Sequence, residues 1–445
     1  MADSTPEQSS TPPLPRAFLD FLEENGIDPS IYVKGDAIPR YIRLKPGCEN
    51  LVPEIETELG CELERVDWLP GFYAVPPHIK IASSEAYKSG KIYGMDAASG
   101  AAVLALDVSE GDHVLDLCAA PGAKLCMLSD LLGNSGSLTG VDVSRDRLAA
   151  CRTMLRKYTL GDHCRLFIAD GTSFSLLPLR PSVNVKSCVI NGAGVASIFG
   201  EWTSKRSYKD RKNAVKLKNS IGSQLALVTS EPELFFYGKN SGVVGLQRSE
   251  LFFVADNAEA SNFGYDKVLV DAECTHDGSV KHIQKFEYWG WKTLDHRVLD
   301  AKRTNSLLHL QLQLLTNGFR LLKAGGTLVY STCSLTFAQN EDVVEQFLKE
   351  NHSAELQGVD AAKNWPCRSG RIPHTLRFDP NTSQTSGLFV AKFIKTDVGW
   401  SLVTCMNSFQ ECKRDESARK VHMHCLNFGN LSVSLLFFRI SLWHC

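Results

Sequence analysis

Two cysteines stand where a thiol can act as a nucleophile. Cys274 follows the apolar run Lys267–Val270 and the acid Asp271, and Cys333 follows the run Thr327–Tyr330. They are 59 residues apart (333 − 274). A thiolate is a soft nucleophile and adds to an electron-poor carbon. If both runs are strands of one open α/β sheet, their carboxyl ends face a common cleft. The competing reading is packing, because a free Cys commonly serves as a small buried hydrophobe. The acid beside the pair favours chemistry.

The elements that must position these thiols begin with His113–Lys124, HVLDLCAAPGAK. A short apolar run breaks into small residues, Pro and Gly, and helix-compatible sequence resumes at Lys124–Leu132. That pattern is strand, tight loop and helix N-terminus, the opening unit of a doubly wound sheet. Small side chains at Ala119, Ala120, Gly122 and Ala123 let a ligand approach the backbone N–H groups. The next strand, Ser137–Val141, ends in Asp142, 24 positions after Cys118 (142 − 118). An acid so placed accepts hydrogen bonds from ribose hydroxyls, which predicts a nucleoside-containing cofactor.

A helix over Arg145–Thr159 and a third strand, Arg165–Ala169, ending in Asp170, continue the alternation. Asp170 either meets an adenine amino group or caps the following turn. Asp96, in an otherwise small and apolar stretch, is either a cofactor-facing acid or an N-cap. Residues 171–262 interrupt the pattern. They hold the basic run Lys205–Lys218, with seven cations, one acid and Tyr208. Such a run suits RNA backbone contact, a solvated loop or a localisation signal. Two apolar patches, Leu234–Tyr237 and Leu251–Val254, predict a hairpin within the interruption. A long Leu-rich helix over about Ala301–Leu322, a helix over Asn340–Glu350 and a late edge strand at Gly387–Ile394 complete the sheet.

The expected fold class is therefore α/β, a doubly wound Rossmann-like sheet spanning 84–395, with a small α+β N-terminal module at 16–83. Residues 1–15 are Ser/Thr/Pro-rich and expected to be disordered. Residues 396–445 read as a poorly structured tail. In the module, Arg40–Leu44 (RYIRL) has a strand pattern, with Arg40, Arg43 and Lys45 expected on one edge, facing either a polyanion or solvent.

Of the 445 residues, 43% are hydrophobic and 22% charged, ordinary values for a globular chain. A net charge of −2 excludes a global basic field, so nucleic-acid contact must use local patches. The 14 Cys are scattered, contain no CxxC pair and follow no signal peptide, which predicts reduced thiols in an intracellular compartment, nucleus or cytoplasm with organelles left open. No metal centre is expected; Cys412, His422, His424 and Cys425 match no common ligand frame. No apolar run reaches transmembrane length, and no repeat signals an oligomer, so a monomer without membrane contact is expected.

Four stretches, DLCAAPGAK, VDVSRDRL, VLVDAECT and above all LVYSTCSLTFAQNEDVVEQFL, resemble the RNA cytosine-5 methyltransferase family, the Fmu/Sun and Nop group. The resemblance covers about 84–395, and PRYIRL is more loosely similar to the family's N-terminal RNA-binding extension. It implies S-adenosylmethionine as cofactor and a cytosine in tRNA or rRNA as substrate. The methionine part is then expected against the loop Cys118, Ala119, Ala120, Pro121, Gly122, Ala123 and Lys124. Asp142 is expected to hold the ribose with Arg147 supporting it, Asp170 to meet the adenine, and Asp271 to face both the cofactor and the cytosine. Cys333 corresponds to the nucleophile and Cys274 to the cysteine that helps release product.

The chemistry suits these residue types. Carbon 5 of cytosine is a poor nucleophile; thiolate addition at carbon 6 makes an enamine whose carbon 5 accepts a methyl group. Asp271 in its acid form at ring N3 stabilises the developing charge, and the target base must be turned out to reach the cleft. The chain departs from the family pattern at Ala123 (usually Gly), Leu125 (usually Thr) and Glu273 (usually Pro). A methyl at Ala123 narrows the loop if φ must be positive there, and a carboxylate beside Cys274 raises its thiol pKa. The alternative reading is a catalytically weak or inactive RNA-binding member of the same fold.

Overall fold

The computed structural model describes residues 14–33, 37–179, 198–201, 231–252 and 257–396. Residues 1–13, the basic run at 205–218 and the tail holding Cys412, His422, His424 and Cys425 lie outside the described residues.

The first strands, β1 (Arg40–Leu44), β2 (Glu64–Arg65), β3 (Phe72–Val75) and β4 (Ile92–Gly94), form an antiparallel sheet in the order β2-β3-β1-β4. It runs past residue 83, because β4 pairs along β1. One face buries Ile42, Leu44, Val75 and Ile92 against Ile55 of the helix Val52–Leu59. The other places Tyr41, Phe72 and Tyr93 in the core around the helices Ala97–Ala105 and Ala123–Leu132. Both faces are covered, so neither side of RYIRL looks to solvent. This corrects the expected outward cations. Arg43 is buried, donates to Asp130 at 2.5 Å and lies over the Tyr93 ring. Tyr93 donates to the same carboxylate at 2.9 Å, Lys45 donates to the carbonyl of Tyr158, and Arg40 alone of the three is exposed.

The second sheet carries β5 (His113–Asp116), β6 (Ser137–Asp142), β7 (Cys164–Ile168), β8 (Glu233–Tyr237), β9 (Tyr265–Asp271), β10 (Leu322–Thr332), β11 (Ala354–Gln357), β12 (Cys367–Ser369), β13 (Leu376–Phe378) and β14 (Leu388–Lys395). Its order is β12-β13-β14-β10-β9-β5-β6-β7-β8, with β11 paired to β14. Strands β5, β6, β7, β9 and β10 run parallel. Their near-continuous apolar runs fit a sheet buried on both faces. The chain steps outward from β5 through β6 to β7, then returns to lay β9 and β10 on the opposite side of β5. That reversal opens a crevice at the carboxyl ends of β5 and β9.

Two local expectations fail. Leu234–Tyr237 does form a strand, but it pairs antiparallel with β7. The second patch begins in the short helix Arg248–Leu251, whose start is fixed by reciprocal capping between Gln247 and Glu250. Strand β14 is not an edge: one side pairs with β10, the other with β13 and then β11. Residues up to Lys395 form one compact unit.

Arg43→Met leaves the Asp130 carboxylate buried beside Tyr93 without its cation. It is expected to cost about 3 kcal/mol in urea unfolding, against less than about 0.5 kcal/mol for Arg40→Met at the surface.

Candidate active site

The turn after β5 is built on one glycine. Gly122 has φ of 112°, and a Cβ there would lie 3.0 Å from the backbone of Cys151. Ala123 is already the first residue of the helix Ala123–Leu132 and has no positive φ, so its methyl does not strain the loop. Leu125 is fully buried in the core beside Gly140. The departures at 123 and 125 thus leave the loop's shape intact.

A cleft of about 540 Å³ lies over the carboxyl ends of the parallel strands. Of the expected cofactor residues, Cys118, Ala120, Pro121, Lys124, Asp142, Arg147, Asp170 and Asp271 line it. Ala119, Gly122 and Ala123 are not among the lining residues. Asp142 accepts from Ser144 N at 2.9 Å and from Ala120 N at 3.3 Å. Arg147 donates to Ala120 O at 2.7 Å and stands 3.7 Å from Asp142, tying the helix Arg145–Lys157 to the loop. Asp170 caps the next turn through Thr172 and also lines the cleft. Asp96 is the N-cap of Ala97–Ala105 and also a cleft residue. Val143, next to Asp142, offers an exposed apolar surface in the same wall.

Asp271, at the end of β9, accepts from Lys124 Nζ at 2.8 Å and Ser331 Oγ at 2.7 Å. Burial works against the Lys124 charge, but the Asp271 carboxylate outweighs it and raises the ammonium pKa. Beneath them Asp116, which the motif reading did not single out, is buried at the end of β5. Burial first, then repulsion from Asp271, lifts its carboxyl to about 7.

The two thiols meet. Cys274 Sγ and Cys333 Sγ are 3.4 Å apart; Cys333 lines the cleft and Cys274 is buried behind it. His276, which sequence reasoning missed, joins them, with Nδ1 2.9 Å from Cys333 Sγ and 3.6 Å from Cys274 Sγ. Burial raises the Cys274 thiol, but hydrogen bonding with Cys333 and the His276 charge bring it down to about 6. Cys333, hydrogen-bonded to that thiolate and buried, is pushed well above its ordinary value. The pair behaves as one acid whose first proton leaves readily and whose second is retained. The net direction for Cys274 is downward despite the neighbouring Glu273, whose carboxylate is held by Arg303 at 2.9 Å.

Both cysteine loops are fixed by buried polar groups. Gly278 N donates to Cys333 O at 2.9 Å, and Gly387 N donates to Gly278 O at 2.8 Å. A Cβ at Gly278 would stand 2.6 Å from Cys333 O. Asp277 accepts from Leu335 N at 2.6 Å and from the Thr275 hydroxyl. Gln339 accepts from Thr275 N at 3.1 Å and donates to the Thr275, Ser334 and Thr336 hydroxyls. Asn340 Nδ2 donates to Ser334 O and Thr336 O, both at 2.8 Å. The polar residues after Cys333 are its mounting.

The Asp116 carboxyl has a folded pKa above its unfolded value, so the folded state keeps a proton that the unfolded chain gives up. Stability is expected to fall as pH rises from about 4 to about 7 and to level off above. The fall is on the order of 4 kcal/mol by linkage, read as a urea midpoint against pH on the cofactor-free protein, and is absent in Asp116→Asn.

A family model described as 16S rRNA methyltransferase RsmB/F matches residues 103–183 and 244–394. The chain is 29% identical over 314 residues to 5-cytosine rRNA methyltransferase NSUN4 of Xenopus tropicalis, covering 67% of this chain and 56% of that protein. It is 24% identical over 342 residues to rRNA (cytosine-C(5))-methyltransferase NOP2C of Arabidopsis thaliana, covering 68% and 53%. With tRNA (cytosine(49)-C(5))-methyltransferase of Pyrococcus abyssi it shares 22% over 345 residues, covering 75% and 80%. The chain thus spans little more than half the length of the first two. Among solved structures, NSun6 from Pyrococcus horikoshii superposes with a TM-score of 0.56 at 16% identity, covering 86% of this chain and 98% of that one. A methyltransferase homolog protein from the same organism gives 0.52 at 23%, covering 86% and 100%. These two likenesses speak to the fold, which is Rossmann-like α/β. With the family model matched over more than half of its residues, the chain belongs to the RsmB/F methyltransferase family.

Proposed function

We propose that the chain is an RNA (cytosine-5)-methyltransferase. It moves a methyl group from S-adenosylmethionine to carbon 5 of a cytosine in tRNA or rRNA through a covalent adduct on Cys333. The observation that carries this reading is the thiol pair, 3.4 Å apart at the carboxyl ends of β9 and β10, with Cys333 facing the cleft that Asp142 and Lys124 also line. S-adenosylmethionine supplies the electrophilic methyl group. The donor set fits it: a buried carboxylate at Asp142, an apolar plate at Val143 and small residues at 118–120. Asp142 holds the ribose, Asp170 the adenine, and the 118–124 loop the methionine part.

Cys333 adds to carbon 6 of the turned-out base. Asp271 orients the ring from beneath, with Lys124 supplying positive charge beside it. Cys274, behind Cys333, hydrogen-bonds the sulfur that must later leave. The departures at Ala123, Leu125 and Glu273 lend no support to an inactive member: the first two leave the loop unstrained, and the third is neutralised by Arg303.

RNA has a surface to meet outside the cleft. The short helices over 280–299 expose Tyr288 by 88% and Trp289 by 53%. Lys285 lies over the Trp289 ring, and Arg297 and Arg303 line the cleft wall nearby. Exposed aromatics among cations suit single-stranded RNA, with bases stacking and phosphates paired. In this reading the chain from Ala97 to Lys395 is the methyltransferase domain, 171–262 an insertion in it, and the N-terminal module that buttresses it extends through β4. Among the described residues no helix is long and apolar enough to cross a membrane.

Incubation with labelled S-adenosylmethionine and total cellular RNA tests the reaction. Label is expected in 5-methylcytosine, lowered more than about 1000-fold in Cys333→Ala. Cys274→Ala is expected to accumulate an RNA adduct that survives denaturing gels. Adduct loss in Cys274→Ala with retention in Cys333→Ala reverses the two roles. Trp289→Ala and Tyr288→Ala are each expected to weaken RNA binding about tenfold, with cofactor affinity unchanged in isothermal titration.

A further inference from the structure

The thiol pair has a third member that the reaction described above does not use. His276 lies two residues after Cys274 and holds φ of 59°. A left-handed backbone is uncommon for a non-glycine residue, and such strain collects at functional sites where the surroundings enforce it. Here the enforcement is visible: Thr275 and Asp277 on either side are locked to Gln339 and Leu335, and Gly278 is clamped to Cys333. The conformation aims the imidazole back across the pair, 2.9 Å from Cys333 Sγ, and leaves the ring in the cleft wall. His282 meets it edge to face at 5.5 Å and is itself edge to face with Phe286 and Trp289, so the ring is braced from behind.

We propose that His276 is the catalytic base of the addition step, taking the thiol proton of Cys333 at Nδ1 as the sulfur attacks. This rests on Cys333 being the nucleophile. The Cys333 S–H bond breaks and its proton passes to Nδ1. The sulfur forms its bond to carbon 6, and the carbon 5–carbon 6 π pair is taken up at carbon 5. The imidazolium then stands beside the negative adduct and, being in the cleft wall, releases its proton to water.

The surrounding charges support this direction. Around His276 are Asp271, Glu273 and Cys274 from its own strand end and loop, Cys333 from the loop after β10, and His282 from the helix Val280–Gln284, while the next residue, Asp277, is turned to Leu335 N and the Thr275 hydroxyl. Lys124, Arg297 and Arg303 line the same cleft. The Cys274 charge raises the His276 pKa against the opposing effect of burial. Glu273 is engaged by Arg303 and Asp271 by Lys124, and burial drives His282 down to about 4, so that ring stays neutral near pH 7. His276 is the imidazole placed to receive the proton.

Because φ is positive, His276→Gly keeps the backbone unstrained, and His276→Gln provides a second, bulkier variant. Single-turnover methyl transfer at pH 7 is expected to fall about 100-fold in both. It should recover at pH 9, and in His276→Gly be restored by added imidazole, with S-adenosylmethionine affinity unchanged. Iodoacetamide labelling of Cys333, followed by peptide mass spectrometry from pH 5 to 10, is the independent readout. The alkaline rise of the wild type is expected to shift upward by at least about one pH unit in both variants. A wild-type labelling profile in both variants, or a loss of transfer that neither high pH nor imidazole relieves, overturns the assignment. If the wild type itself transfers no methyl to RNA, the proposed reaction fails, and the labelling profile still decides the role of His276.

Discussion

The buried polar mounting of the Cys333 loop is the constraint on which the rest of the site depends. Thr332, Ser334, Thr336, Gln339 and Asn340 are all withdrawn from solvent. Each would carry a desolvation cost if left unpaired, and they satisfy one another and the backbone on both sides of Cys333. Because Gln339 and Asp277 bridge the two cysteine loops, the distance between the thiols is fixed by hydrogen bonds of definite geometry rather than by packing alone. Glu341 extends the same mounting outward: it pairs with Arg377, which also donates to Leu335 O. The chemistry sits at the surface of this framework, one side chain from solvent.

The charges of the cleft follow from topology. Strands β5, β6 and β9 each end in an acid, Asp116, Asp142 and Asp271, and Asp170 follows β7. Against these stand Lys124 and Arg147. Arg297 and Arg303 add two more cations to the same lining, so acids and cations are nearly matched there.

The parallel core was legible because its strands are short apolar runs that end in acids, and the thiol pair because both cysteines follow such runs. Where the reading failed, tertiary context had replaced local pattern. RYIRL has a strand pattern, yet both of its faces are covered, so Arg43 turns inward to Asp130. GLFVAKFI looked like an edge because it is last in sequence, but β13 and β11 fold back to cover it. Leu251 starts a patch of strand formers and ends a capped helical turn. His276 carried no signal of its own; a lone histidine has many uses. The only pointer was its place in Cys274-Thr275-His276-Asp277-Gly278, where a left-handed residue before an acid and a glycine makes the chain double back. The departures at Ala123 and Glu273 were visible in sequence, but their local surroundings were not, since these depend on which residue takes the positive φ and where Arg303 reaches.

The clamp of Gly387 on Gly278 has a consequence for how the protein is made. Gly278, Cys333 and Gly387 touch through backbone, yet more than a hundred residues separate the first from the last. On the ribosome the chain emerges from its N-terminus, so β5 to β10 and the residues that mount the cysteine loops come out before Gly387. Until β14 lies between β10 and β13, the nascent sheet ends at β10 with an open edge, and the Cys274 loop lacks its bond from Gly387 N. The wall around the thiols is therefore completed last, when the final strand of the sheet slots in.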